Sequence, residues 1–487
     1  MRPSEVVAVK APDSSRPLPS QSLWTSVGIG MLGVLLLIPV AQHFRIDLVR
    51  CESWPPPMER IGLCVLYLLC VGLLFVAWQR LLTLASSNQL SLHRALGICA
   101  LFHGSLLLSP PFLSDDPLFY LALGKVMHAP GGSLDRPLLD VLGPDDALLR
   151  LLPSHWQHGT TAYQAGFHAL VWLIESIPQL SLAGKLTLYQ LSSLCAVLLS
   201  ALLTAQTAQR CHLPASYGLI FVGLCPLSLL EGTQSGHNDV WLMLLMALTA
   251  WLYVSYRKYP SVALLPLALG LFIKLSALLS LGTFGLSLFR RRINSWLWLG
   301  LTILAGLCAL GLVRALHMEG RLISVVLGSP DLSWDHCTRS LECLPRAILR
   351  YGFARPDLSY RVGIAFQLVG GLWLLAVSWR YQEPLTATGL GLLIYYLYLH
   401  GWAQSWYLLT IVPLRPFLPA KQGRALELLA GSGCAYYALA LYRNCLTEPW
   451  QVALCELAEG LFTILPPTVI LLRKESFAYV RARTSSV

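Results

Sequence analysis

Charge is what this chain has least of. Only 12% of its 487 residues are Asp, Glu, Lys or Arg, whereas soluble domains carry about 25%. The shortage runs along nearly the whole length, and 55% of the residues are hydrophobic. A polytopic membrane protein is implied. The apolar runs are continuous and Leu-rich rather than alternating, which excludes a β-barrel in favour of helices of roughly 20 residues. No C-x-x-C, H-E-x-x-H, Walker loop or dinucleotide fingerprint occurs, so zinc chemistry of the common motifs and phosphate cradles have no support. Short-period repeats are lacking. So is a separate soluble domain with its own core, which a nucleotide-sugar enzyme would be expected to carry. The net charge of +10 is no sign of nucleic-acid binding, because the Lys and Arg residues gather at span ends, where they set orientation.

Thirteen cysteines are present, mostly inside apolar runs (Cys64, Cys70, Cys99, Cys195, Cys225, Cys308), where they act as small hydrophobes. Cys337 and Cys343 lie in a polar loop and are either a disulfide or two thiols.

Residues 1–24 are expected to form a disordered cytosolic tail. No cleavable signal peptide is apparent, and the run after Trp24 reads as the first anchor. Placing basic ends in the cytosol gives spans at about 25–43, 61–79, 95–112, 186–206, 214–230 and 239–256. The run 260–289, with Arg257-Lys258 and Arg290-Arg291-Arg292 at its ends, reads as a hairpin turning near Lys274. Further spans fall at about 294–316, 361–379, 386–402, 405–420, 426–442 and 450–472, with a cytosolic tail over 473–487. The expectation is one transmembrane domain over 25–472, with 12–14 crossings and outer loops at about 113–185 and 317–360. The stretch 163–177 is apolar but short, as for a helix on the outer surface.

This map gathers polar groups on one side. They are Asp115 and Asp116; Glu231 and the turn His237-Asn238-Asp239; Lys274; and His400, Trp402, Gln404, Trp406 and Tyr407. Ionisable groups at span ends in an apolar bundle are functional candidates. Each also has a plainer explanation. Asp116 precedes Pro117 and could be a helix N-cap. The 237–239 turn could cap the helix that follows. Lys274 could snorkel, and the aromatics could form an interfacial belt. The Asp pair could also take a hard divalent cation.

In order and spacing these residues resemble the GT-C superfamily of polyprenyl-phosphate-sugar glycosyltransferases, most closely bacterial polyprenol-phosphate-mannose-dependent α-(1→6)-mannosyltransferases. The similar elements are Ser114-Asp115-Asp116-Pro117-Leu118-Phe119-Tyr120 through Lys125, then Gly143-Pro144-Asp145-Asp146, Trp156 and Tyr163-Gln164-Ala165-Gly166. Gly236-His237-Asn238-Asp239, Lys274 and Gln404-Ser405-Trp406-Tyr407 follow. The turn at Tyr163 lacks the Gly-Pro of that family, and Asp116 is followed by Pro. The resemblance implies a GT-C-type helical bundle with a long first catalytic outer loop, in the bacterial plasma membrane. It implies inverting transfer of a hexose, mannose by this likeness, from a polyprenyl-phosphate donor to a glycan or glycolipid acceptor on the extracytoplasmic face. Asp115 or Asp116 would be the general base. Lys274, and secondly His237, would meet the donor phosphate, with Glu231, Asn238, Asp239, Tyr120, Trp402, Gln404, Trp406 and Tyr407 around the substrate. A transporter or flippase of lipid-linked sugars is the rival reading. Matching halves with broken helices are not evident. A non-catalytic partner of a glycan-building complex is the third.

Overall fold

The computed structural model describes residues 20–47, 57–109, 111–161, 163–290, 300 and 341–473, apart from 343, 344, 347, 354, 401–403, 444, 445 and 447. Among the described residues every regular element is a helix. In chain order α1 is Ser20–Asp47, α2 Pro57–Ser86, α3 Leu92–Leu106, α4 Asp116–His128, α5 Leu138–Leu142, α6 Ser154–Gln157 and α7 Ala165–Glu175. Then come α8 Leu182–Arg210, α9 Ala215–Gly223, a π-helix Ser228–Gln234, α10 Asp239–Ser255, α11 Leu264–Gly270 and α12 Ala277–Arg290. Helices Pro356–Arg380, Pro384–Ile394, Ala420–Ala435, Tyr437–Arg443 and Pro449–Leu472 follow, with a 3-10 helix Ser405–Phe417.

Five of these helices are long and apolar enough to cross a membrane, six if α9 and the π-helix count as one bent span. The protein is an all-α, multi-pass membrane protein. Several expected spans take a different form. The expected span 214–230 is broken and bends by 62° at Cys225-Pro226, where proline supplies no backbone donor. His103 from α3 braces the break. Its Nε2 donates to the Gly223 carbonyl at 2.6 Å and its Nδ1 accepts from the Thr233 hydroxyl at 2.8 Å. The expected span 405–420 is a 13-residue 3-10 helix. At about 2 Å rise per residue it covers roughly 26 Å, so fewer residues reach as far. The run 260–289 breaks into α11 and α12 with Lys274 in the turn between them, and each piece is shorter than a full span. The expected span 294–316, the loop cysteines Cys337 and Cys343 and most of the loop 317–360 lie outside the described residues.

Two of the caps are built by sequence. Ser91 accepts from the Arg94 amide to start α3, and Ser181 accepts from Gly184 to start α8, each satisfying an orphan donor. The main core runs through α1, α2, α3, α8, α9 and the 3-10 helix, pinned by Trp78 donating to the Ile220 carbonyl and Tyr67 to that of Cys434.

The long segment after α3 packs as its own layer around Phe119, Tyr120, Tyr163, Phe167 and Tyr189. Gly124 lets α4 press onto α7, since a Cβ there would lie 2.8 Å from the Val171 carbonyl. Lys185 of α8 pairs with Glu175 of α7 at 2.6 Å. With 11 residues, α7 is about 16 Å long, too short to cross. Trp172, Leu173 and Ile177 are exposed apolar side chains at its end and just beyond, which suits a helix lying on the membrane interface.

Candidate active site

The connection after α3, the π-helix and its following turn, the start of α10, the α11–α12 turn and the start of the 3-10 helix meet at one end of the bundle. The other end of the 3-10 helix carries a separate charge group, in which Arg415 and Arg424 share Glu427.

The two acids divide the labour differently from a capping scheme. Asp115, not Asp116, occupies the N-cap position of α4, and it makes no side-chain cap bond. Asp116 is the first helical residue, 6% exposed. Its Oδ2 accepts from the Tyr120 hydroxyl at 3.0 Å and lies 3.1 Å from His237 Nδ1. Capping therefore explains neither carboxylate. Pro117 sits in the first turn, where no backbone donor is needed, and the Asp116 side chain turns inward. Asp115 is partly buried, and among the described residues its carboxylate has no hydrogen-bond partner. Burial, and then the neighbouring Asp116 charge, push the Asp115 carboxyl up to about 6. Asp116 moves the other way. Burial works to raise it, but His237, Tyr120 and the Lys274 charge together hold it below the usual carboxylate range.

His237 stands at the centre. Gly236 precedes it at φ +59°, and a Cβ there would lie 2.9 Å from Tyr189 Cε1, so only glycine fits this turn. Tyr189 donates to the Gly236 carbonyl at 2.7 Å and Gln190 to that of Gln234 at 2.9 Å. The imidazole is fully buried and stacks on Trp406, with centroids 3.9 Å apart and planes at 13°. Its Nε2 lies 3.3 Å from Glu231. Glu231 is itself fully buried and accepts from the Ser405 hydroxyl and, at 3.1 Å, from the Tyr437 hydroxyl. Among the described residues it faces donors only and has no exposed surface to offer a ligand.

Beside this lies a second ion pair. Lys274 donates to Asp239 at 2.7 Å and sits 4.1 Å over the Tyr407 ring, an attractive cation–π placement. One donor is used on Asp239, and an ammonium has three. The turn therefore captures Lys274, where simple snorkelling would leave it in water. Asn238, between His237 and Asp239 in sequence, donates its backbone N–H to the Tyr120 hydroxyl at 3.5 Å. Its side-chain oxygen and nitrogen are both buried and have no partner among the described residues. Leaving such groups without a partner costs about 1–3 kcal/mol each, so a polar ligand is favoured there.

The structure brings together Asp115, Asp116, Tyr120, Glu231, His237, Asn238, Asp239, Lys274, Trp406 and Tyr407. Gln404 is buried at the head of the 3-10 helix. Trp402 lies outside the described residues. Tyr189, Gln190 and Tyr437 also belong to the assembly, beyond the residues expected from the sequence. Gln190, a buried amide inside an apolar run, was a usable signal. Tyr189 and Tyr437 look like ordinary bundle aromatics. Among the described residues no three His, Cys, Asp or Glu side chains are grouped to hold a metal ion.

Comparison with known proteins shows a family. Alpha-(1→6)-mannopyranosyltransferase B of Corynebacterium glutamicum is 25% identical over 232 residues, which is 43% of this chain and 38% of that protein. The chain thus matches less than two fifths of the length of this curated relative. No solved structure matches. A family model described as "Alpha-(1→6)-mannopyranosyltransferase, N-terminal domain" matches residues 26–290, more than half of the 487 residues. That stretch carries the site from Asp115 to Lys274. The chain belongs to the alpha-(1→6)-mannopyranosyltransferase family.

Proposed function

We propose that this protein is a glycosyltransferase that moves a mannosyl group from a polyprenyl-phosphate donor to a hydroxyl of a glycan or glycolipid acceptor. The reaction is placed at the extracytoplasmic face of a bacterial plasma membrane. One observation carries the proposal: Asp115, a partly buried carboxylate with no hydrogen-bond partner among the described residues, stands beside a buried network in which His237 and Lys274 lie against carboxylates and under the aromatic rings of Trp406 and Tyr407. Family membership supports the sugar.

The chemistry follows from charge. The acceptor oxygen attacks C1 of the sugar while Asp115 takes the hydroxyl proton. The C1–O bond to phosphate breaks, and its electron pair leaves with the polyprenyl phosphate. Attack opposite the leaving group inverts C1, so a β-linked donor gives an α-linked product. Asp116 is engaged by Tyr120 and His237 and is the poorer base. Lys274 still has N–H groups for the departing phosphate. Asn238 offers a donor and an acceptor together, the pattern that matches adjacent sugar hydroxyls. The bilayer anchors the donor chain and restricts its approach.

The deciding experiment incubates purified protein in nanodiscs with radiolabelled polyprenyl-phosphate-mannose and membrane acceptors, with and without chelator. Labelled product is expected. Movement of intact donor across the bilayer without product would instead make the protein a flippase. Silence in both arms would leave the assembly-partner reading.

Transfer should also depend on pH in one direction. Asp115 must be ionised to accept a proton, and its carboxyl titrates near 6. The rate is expected to level off above that pH and fall about tenfold per unit below it. A rate that stays flat down to pH 4.5 would remove Asp115 as the base.

A further inference from the structure

His237 has a carboxylate at each ring nitrogen: Asp116 from α4 at Nδ1, 3.1 Å away, and Glu231 from the π-helix at Nε2, 3.3 Å away. A neutral imidazole carries one N–H, so either tautomer would leave a lone pair near one of the two carboxylates. Only the imidazolium carries an N–H at both nitrogens and a charge that both carboxylates attract. Nδ1 is hydrogen-bonded to Asp116, while Nε2 makes no hydrogen bond among the described residues but lies within ion-pair distance of Glu231. Glu231 cannot swing away. Ser405 and Tyr437 hold its oxygens, and the His237 backbone N–H donates to the Glu231 carbonyl at 2.9 Å. The Trp406 ring against the imidazole face favours a cation there as well.

We propose that Glu231 is a positioning residue that acts through His237. It fixes the imidazolium, the imidazolium neutralises Asp116, and Asp115 is thereby left as the one carboxylate free to ionise and take the acceptor proton. The idea rests on the transferase reading above and gives it an internal control. Without the cation, Asp115 and Asp116 would be adjacent like charges in a partly buried site, and one would stay protonated. The groups facing this relay are Asp116 and Tyr120 from α4, Glu231 from the π-helix, Asp239 and Lys274 through their charges, and Trp406 from the 3-10 helix. His237 lies in the turn between spans. Burial acts to lower its pKa, but the bonds and charges of Asp116 and Glu231 outweigh burial and raise it to about 9.

The test is Glu231→Gln in the full-length protein in nanodiscs. Gln keeps the size and removes the charge; its one amide oxygen can accept from Ser405 or Tyr437, and its NH2 group donates to the other hydroxyl. Transfer of labelled mannose should show its acidic limb displaced upward by about one pH unit or more from the wild-type position near 6. A residue that served packing alone would lower the rate without moving the limb. A second measurement needs no activity. In ¹⁵N-histidine spectra the His237 signals, identified by their loss in His237→Gln, should show both ring nitrogens protonated at pH 8 in the wild type and one in Glu231→Gln. Unchanged protonation of His237 in Glu231→Gln, or an unmoved limb, would overturn the relay. Wild-type protein with no transferase activity would overturn the proposed function instead, and the spectra would still decide the relay.

Discussion

Replacing Asp115 with Asn is expected to lower the rate of mannosyl transfer by about 10²–10⁴-fold, the usual worth of a positioned general base. Membrane insertion and donor binding should be preserved. Asn has the size of Asp and lacks only the charge. The Asp115 carboxylate makes no cap bond and has no other hydrogen-bond partner among the described residues, so no internal contact is lost with it. Asp116→Asn should also impair transfer, for a different reason: it removes the charge opposite His237 at 3.1 Å. The pH profile separates the two. Asp116 contributes to the upward displacement of Asp115, so Asp116→Asn should move the acidic limb to lower pH. In Asp115→Asn the limb should vanish along with the rate. Wild-type turnover in Asp115→Asn, measured with labelled donor, would mean that another group takes the proton.

Much of this site was legible before any coordinates, because ionisable groups are expensive in an apolar bundle and therefore conspicuous. Asp115, Asp116, Glu231, His237, Asp239 and Lys274 stood out on that ground alone, and the structure gathers all six at one end of the bundle. Their pairing was not legible. A tyrosine in an apolar helix reads like any other core aromatic, so nothing marked Tyr437 as a partner for Glu231, 206 positions away. For the two acids, the local capping alternative is the part that the structure changes. Asp-Pro at a helix start suggests a cap, yet contact with His237 and Tyr120 overrides that local preference. Hydropathy located the apolar runs well but carried no information on whether each run is one straight helix. Cys225-Pro226 breaks one, Lys274 lies at the turn that divides another, and the run after Gln404 winds into a 3-10 helix.

Lys274→Met is expected to reduce transfer by about 10²–10³-fold, the loss found when one donor to developing negative charge is removed. It should also destabilise the protein, because Asp239 is 1% exposed and would be left as a buried charge without its cation. Breaking a buried pair in this way costs about 3–5 kcal/mol. The two effects can be separated with three variants. Asp239→Asn alone leaves the ammonium in place over Tyr407 and should keep most of the activity. The double change Asp239→Asn with Lys274→Met removes both charges, so thermal stability in nanodiscs should return towards wild type. Activity should not return with it, since the departing phosphate still lacks its cation. If the double variant recovered both stability and transfer, Lys274 would serve only to neutralise Asp239. The phosphate would then have to be met by a group other than Lys274, and His237, held between Asp116 and Glu231, is the next candidate.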